Sequence, residues 1–160
     1  MKTLIAFSSK HGCTVRCANM LEKQLDGEVD KLNLGINKNW PDNLEEYDKV
    51  ILGSPIYEGS IVREVNQFSK DYLDELKQKG IGLFICGMRE DRMEQQLDTN
   101  FPSELHETAI VREYFGGAFR FKTMNMLERS IVRYGAKVDK DVSAIREDKI
   151  QDFADKMNAS

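Results

Sequence analysis

No apolar run in this sequence approaches the roughly 20 residues a helix needs to cross a bilayer, so a membrane-spanning protein is not expected. Disulfide material is equally scarce. Cys13, Cys17 and Cys86 are an odd set of three, and the first apolar run, Leu4 to Phe7, is too brief for a signal-peptide core. Together these features predict reduced thiols and a cytoplasmic protein. Charge of one sign is also lacking: 23 basic and 27 acidic residues are mixed along the chain for a net charge of −4. No global field marks a nucleic-acid binder, and the acidity is mild for an electron carrier that docks through a strongly acidic face. Zinc-site spacing is missing as well. His11, Cys13 and Cys17 have no second Cys/His cluster to complete four ligands, so no metal is expected.

What the chain does contain is alternation. Its 160 residues suffice for one domain, 1–160, around one sizeable core. Leu4-Ile5-Ala6-Phe7 is wholly apolar and stops at small polar residues, the pattern of a strand buried on both faces. Thr14 is placed to cap the helix that follows, with Val15, Ala18, Leu21 and Leu25 at helical spacing before Gly27. Glu28 to Leu34 alternates and reads as an exposed edge strand. After a loop from Asn37 to Asp48, in which Trp40 is expected to cap the core, Lys49 to Gly53 forms a third strand.

Ser54, Pro55 and Gly59 then read as a turn, and Ile61 to Lys79 as one long amphipathic helix. Gly82 to Gly87 and Ala109 to Phe115 supply the fourth and fifth strands, with the helix-compatible stretch Glu90 to Asn100 between them. Ser143 to Met157 is the expected closing helix. Strands joined by crossover helices imply an open parallel sheet covered on both faces.

Such sheets bind ligands beyond the carboxyl ends of their strands. That singles out three loops: Ser8 to Thr14, Ser54 to Ser60 and Cys86 to Arg92. The first runs directly into a helix, and its hydroxyls, glycine and free backbone N–H groups suit a phosphate. The plainer reading is a strand-to-helix turn capped by Thr14. Spacing removes the other phosphate chemistries. Neither G-x-x-x-x-G-K-[ST] nor G-x-G-x-x-G occurs. Asn19 stands where a C-x5-R phosphatase has its arginine, and Gly53-Ser54 stands where a response regulator has an acid.

Ser9, Gly12 and Thr14 match the flavodoxin phosphate loop S/T-x-T-G-N-T, with Cys13 replacing its asparagine. Gly53 to Gly59 resembles the second flavin loop of flavodoxins and flavodoxin-like quinone reductases. Gly116-Gly117-Ala118-Phe119-Arg120-Phe121, Arg129, Ile131 and Phe153-Ala154 resemble the menaquinone-dependent protoporphyrinogen dehydrogenases, a branch of the same superfamily. The first loop of that branch, S-T-R-D-G-Q-T, also suits Ser8 to Thr14, with Lys10-His11 for its Arg-Asp.

The resemblance implies an α/β, three-layer flavodoxin-like fold: a five-stranded parallel sheet in the order 2-1-3-4-5 with helices on both faces. It implies FMN as cofactor, its phosphate held by Ser9, Lys10, His11, Gly12, Cys13 and Thr14. Pro55, Ile56, Tyr57, Glu58 and Gly59 would line the ring with Tyr57 stacked on it, and Gly87, Met88 and Arg89 would follow its other edge. A type II turn is expected at Glu58-Gly59, whose peptide can turn toward flavin N5. No catalytic residue stands out.

Three functions remain open. The first is an FMN oxidoreductase passing electrons or hydride to or from a quinone or porphyrinogen-like molecule. The second is a one-electron carrier serving a redox partner protein, and the third a flavin-free interaction module. The basic series Arg120, Lys122, Arg129, Arg133 and Lys137 reads as a solvated face or as a contact for an anionic substrate or a membrane surface.

Overall fold

The protein is described from a computed structural model, which defines residues 1–9, 12–87, 90–119, 142–143 and 145–160. Five strands run parallel: β1 (Lys2–Phe7), β2 (Glu28–Asn33), β3 (Lys49–Tyr57), β5 (Gly80–Cys86) and β6 (Ala109–Tyr114). Their order across the sheet is β2-β1-β3-β5-β6, and the two-residue strand β4 (Ser60–Ile61) folds back antiparallel on the end of β3. Counting the parallel strands alone, this is the expected 2-1-3-4-5 order. The short β4 makes the sheet six-stranded and shifts the numbers of the last two. A separate antiparallel pair joins β7 (Ala118–Phe119) to β8 (Val142–Ser143).

Alternation along the buried strands divides the core in two. Ile5, Phe7, Ile51, Phe84 and Cys86 face one side, where α1 (Cys13–Gln24) and α6 (Glu147–Asn158) add Cys17, Ala18, Leu21, Ile150 and Phe153. Leu4, Ala6, Val50, Leu52, Leu83 and Ile85 face the other. There they meet α2 (Arg63–Asp71), α3 (Leu73–Leu76), α4 (Met93–Thr99) and α5 (Ser103–Thr108) through residues such as Val65, Phe68, Leu76, Leu97 and Leu105. No helix among the described residues is long and apolar enough to cross a membrane.

Four local expectations need correction. The helix expected over 61–79 breaks at Tyr72, whose φ of −106° and ψ of 15° are not helical. Leaving the helical path lets its ring pack 4.4 Å from Phe68 while its hydroxyl donates to the Pro41 carbonyl, tying the 37–48 loop to the core. Trp40, in that loop, packs edge-on against the same Phe68 at 5.4 Å.

The turn expected from Ser54 is instead strand, because β3 continues to Tyr57. Pro55 is tolerated there because hydrogen-bonding direction alternates along a strand. Gly53 accepts the Ser8 N–H at 3.3 Å, so Pro55, two residues on, faces the same side beyond the end of β1, where no ladder partner is needed. Helix α5 carries too short a pattern for sequence periodicity to reveal. Finally, the closing helix starts at Glu147 rather than Ser143, which lies in β8.

Candidate functional site

The three loops singled out by sequence all leave the carboxyl ends of neighbouring strands. Strand β1 ends at Phe7, whose carbonyl accepts the Leu34 N–H at 2.7 Å, and the chain then swings into α1. Gly12, at φ 91°, occupies the N-cap, so Thr14 lies inside the first turn rather than capping it. Among the described residues no side chain caps the helix and no acid sits in its first turn, which leaves the positive end of the helix dipole without a compensating charge there.

Thr14 is 1 % exposed, and its Oγ1 has no hydrogen-bond partner among the described residues. Burying a hydroxyl without a partner is costly. A phosphate oxygen at this helix terminus would satisfy that hydroxyl and the first-turn amides together, so the residues present fit an anionic group. The neighbouring hydroxyls are already engaged. Ser9 Oγ accepts the Gly12 N–H at 3.1 Å, and Ser8 Oγ donates to Glu64 on α2 at 2.8 Å.

The second loop is a two-residue hairpin between Tyr57 and its partner Ser60. Glu58 at φ 54° and Gly59 at φ 82° are both left-handed, the signature of a type I′ turn and not the expected type II. Type I′ matches the twist of flanking strands, as a hairpin arm requires. Asn100, at the end of α4, pins this turn. Its Oδ1 accepts the Ile61 N–H and its Nδ2 donates to the Gly59 carbonyl, both at 3.0 Å, with a further bond to the Gln96 carbonyl at 2.8 Å. Ser54 Oγ accepts the Val62 N–H at 3.0 Å and fixes the exit from β4. Tyr57 and Ile56 are half-buried at the mouth of this structure.

Gly87 leads the third loop and approaches the second, where a Cβ added to it would lie 3.5 Å from Ile56. Its N–H donates to the Gly116 carbonyl at 2.9 Å, and its own carbonyl accepts the Tyr114 hydroxyl. Burial, before any neighbouring charge, pushes the Tyr114 phenol up to about 12. Pro55 pairs with Cys86 in the β3–β5 ladder, so the second and third loops start side by side.

The structure therefore gathers Ser9, Gly12, Cys13, Thr14, Pro55, Ile56, Tyr57, Glu58, Gly59 and Gly87 at one end of the sheet. Lys10, His11, Met88 and Arg89 lie outside the described residues, as do Arg120, Lys122, Arg129, Arg133 and Lys137.

Sequence reasoning missed Asn100, Glu64 and the meeting of the cysteines. An asparagine at a helix end and a glutamate on a polar helix face carry no local signal of long-range contacts. Cys86 lies 69 residues from Cys17, yet their sulfurs are 3.8 Å apart, with Cys13 in the same group. Contact with the Cys13 thiol, reinforced by burial, pushes both the Cys17 and Cys86 thiols well above the ordinary range.

Comparison with known proteins follows this geometry. Flavodoxin 2 from Bacillus cereus superposes with a TM-score of 0.60 at 22 % identity over 99 % of both chains. A Fusobacterium nucleatum flavodoxin bound to flavin mononucleotide gives a TM-score of 0.51 at 18 % identity, over 71 % of this chain and 70 % of that one. Rubredoxin oxygen:oxidoreductase from Desulfovibrio gigas matches at 13 % identity with a TM-score of 0.57, and this chain, covered to 99 %, spans about a third (35 %) of its length. At these identities the likeness is one of fold. No curated protein matches the sequence. The flavodoxin domain family, in contrast, matches residues 4–145, nearly the whole chain and all three loops. This chain belongs to the flavodoxin domain family.

Proposed function

We propose that this protein binds FMN at the carboxyl end of its sheet and works as an FMN-dependent redox protein. Membership of the flavodoxin domain family supports this reading, as does the bound flavin mononucleotide of the Fusobacterium nucleatum flavodoxin. The observation that carries it is the buried Thr14 hydroxyl at the start of α1, behind a left-handed Gly12 and without a partner among the described residues. Gly12, Cys13 and Thr14 offer backbone N–H groups to the phosphate, and Thr14 adds its hydroxyl. Ser9, Lys10 and His11 complete the loop. The hairpin Pro55-Ile56-Tyr57-Glu58-Gly59 presents the half-buried Tyr57 to the ring, and Gly87 opens the loop to which the family resemblance assigns the other side, with Met88 and Arg89.

When bound, FMN supplies the isoalloxazine that takes up and returns electrons or hydride, while this chain binds and orients it. We assign the electrons to or from a quinone or porphyrinogen-like molecule. The support is the likeness of Gly116 to Phe121 and of the first loop to the protoporphyrinogen dehydrogenase branch, together with the mild net charge of −4. The full-length match to Bacillus cereus flavodoxin 2 favours a second reading, a one-electron carrier with a protein partner.

Extraction of the purified protein and mass analysis of the released cofactor test the cofactor assignment. FMN is the expected product; FAD, or apoprotein that leaves the fluorescence of added FMN unquenched, overturns it. Turnover with a quinone or a porphyrinogen then separates the oxidoreductase from the carrier, which should be inert toward both.

A further inference from the structure

Cys13 and Cys17 stand one helical turn apart on α1, and Cys86 ends β5 on the strand that faces them. The fold brings all three sulfurs within 4.8 Å of one another, with Cys17 and Cys86 at 3.8 Å. Exposure is 8 %, 0 % and 2 %, and none of the three is in a disulfide. A buried cysteine packs as a small apolar residue wherever volume suits, but three sulfurs facing one another also form a ligand set for soft ions. Among the described residues no fourth histidine, cysteine or carboxylate joins them.

Ligand number and charge choose the ion. Structural zinc takes four ligands. Three thiolates around any divalent ion leave a net negative charge among Phe7, Phe84 and Phe115, an apolar setting in which an uncompensated charge is strongly disfavoured. A trivalent ion bound by three thiolates is neutral and needs no fourth ligand. We propose that Cys13, Cys17 and Cys86 form a closed three-sulfur site for a trivalent, three-coordinate thiophilic ion of the arsenite class.

The step balances without a redox partner. Three S–H bonds and three As–O bonds of As(OH)3 break, three As–S bonds form, and three waters leave carrying the thiol protons. No electron moves. With sulfur bonds of about 2.3 Å, as thiolates make to zinc, a pyramidal ion holds its sulfurs roughly 3.4 Å apart. Binding requires the sulfurs, now within 4.8 Å of one another, to close to that spacing. Cys13, the most exposed of the three, offers the first attachment.

The test uses the full chain with whatever cofactor it carries, reduced with a phosphine and titrated with arsenite. One arsenic should bind per chain, and all three thiols should be lost to a thiol reagent. Cys17→Ser and Cys86→Ala should each weaken binding about 100-fold, because each bond after the first forms intramolecularly, while the circular dichroism spectrum stays that of the parent. Protection of only two thiols overturns the proposal, as does affinity unchanged in Cys86→Ala. Zinc or cadmium outcompeting arsenite, or arsenite binding only after unfolding in urea, overturns it equally. Because the readouts are arsenic content and thiol count, failure here leaves the FMN reading standing, and failure of the FMN reading leaves this one standing.

Discussion

The loop after β1 and the hairpin after β3 sit side by side and differ in how they treat their polar groups. In the hairpin, the Gly59 carbonyl, the Ile61 N–H and the Val62 N–H are all fastened to side chains of Asn100 and Ser54. At the α1 start, among the described residues, no side chain caps the helix and the Thr14 hydroxyl has no partner. One region completes its bonding within the protein; the other leaves bonds to be completed by something else. A site for a ligand with a flat ring and a charged end benefits from both. The ring needs a wall that holds its shape beforehand, and the phosphate needs donors that have not already been taken.

The hairpin should therefore be the more sensitive region to loss of a side chain. Asn100→Ala removes three hydrogen bonds and leaves the groups around the turn unsatisfied, so the apoprotein should lose about 3 kcal/mol. A lowered denaturant midpoint with an unchanged slope checks this. Gly59→Ala adds a Cβ at φ 82°, with nothing within 4 Å to clash, so it should cost only the backbone preference, about 1 kcal/mol. At the α1 start the sign should reverse. Thr14→Val keeps the shape and removes an orphaned hydroxyl, so the apoprotein should gain about 1 kcal/mol, read as a higher midpoint in the same titration. The smallest effect is expected for Glu58→Asn, which eases a left-handed residue at φ 54° and should stabilise by about 0.5 kcal/mol.

The same contrast explains how far the sequence could be read. Buried parallel strands announce themselves in apolar runs such as Leu4 to Phe7 and Gly82 to Gly87, so the parallel sheet was legible, while its strand order followed only from the family resemblance. The first loop could be read locally as an anion cradle leading into a helix, although the cap fell to Gly12 and not Thr14. The hairpin was harder. Pro55 and Gly59 spell a turn in any local reading, and only the ending of β1 at Phe7 explains why β3 runs on through Pro55. Asn100 and Cys86 were invisible for the same reason: their roles depend on partners 39 and 69 residues away, and side-chain contacts of that range leave no periodicity. The break at Tyr72 follows from its reach to Pro41, also a long-range contact.

The central claim, that the α1 terminus is prepared for the phosphate of FMN, is tested most directly by comparing FMN and riboflavin affinities in the parent apoprotein and in Thr14→Val. The parent should prefer FMN. Thr14→Val should narrow that preference by about 1.5–3 kcal/mol, roughly 10- to 100-fold, by weakening FMN while leaving riboflavin unchanged. A parent that binds the two flavins equally, or a variant that loses both to the same extent, would contradict it.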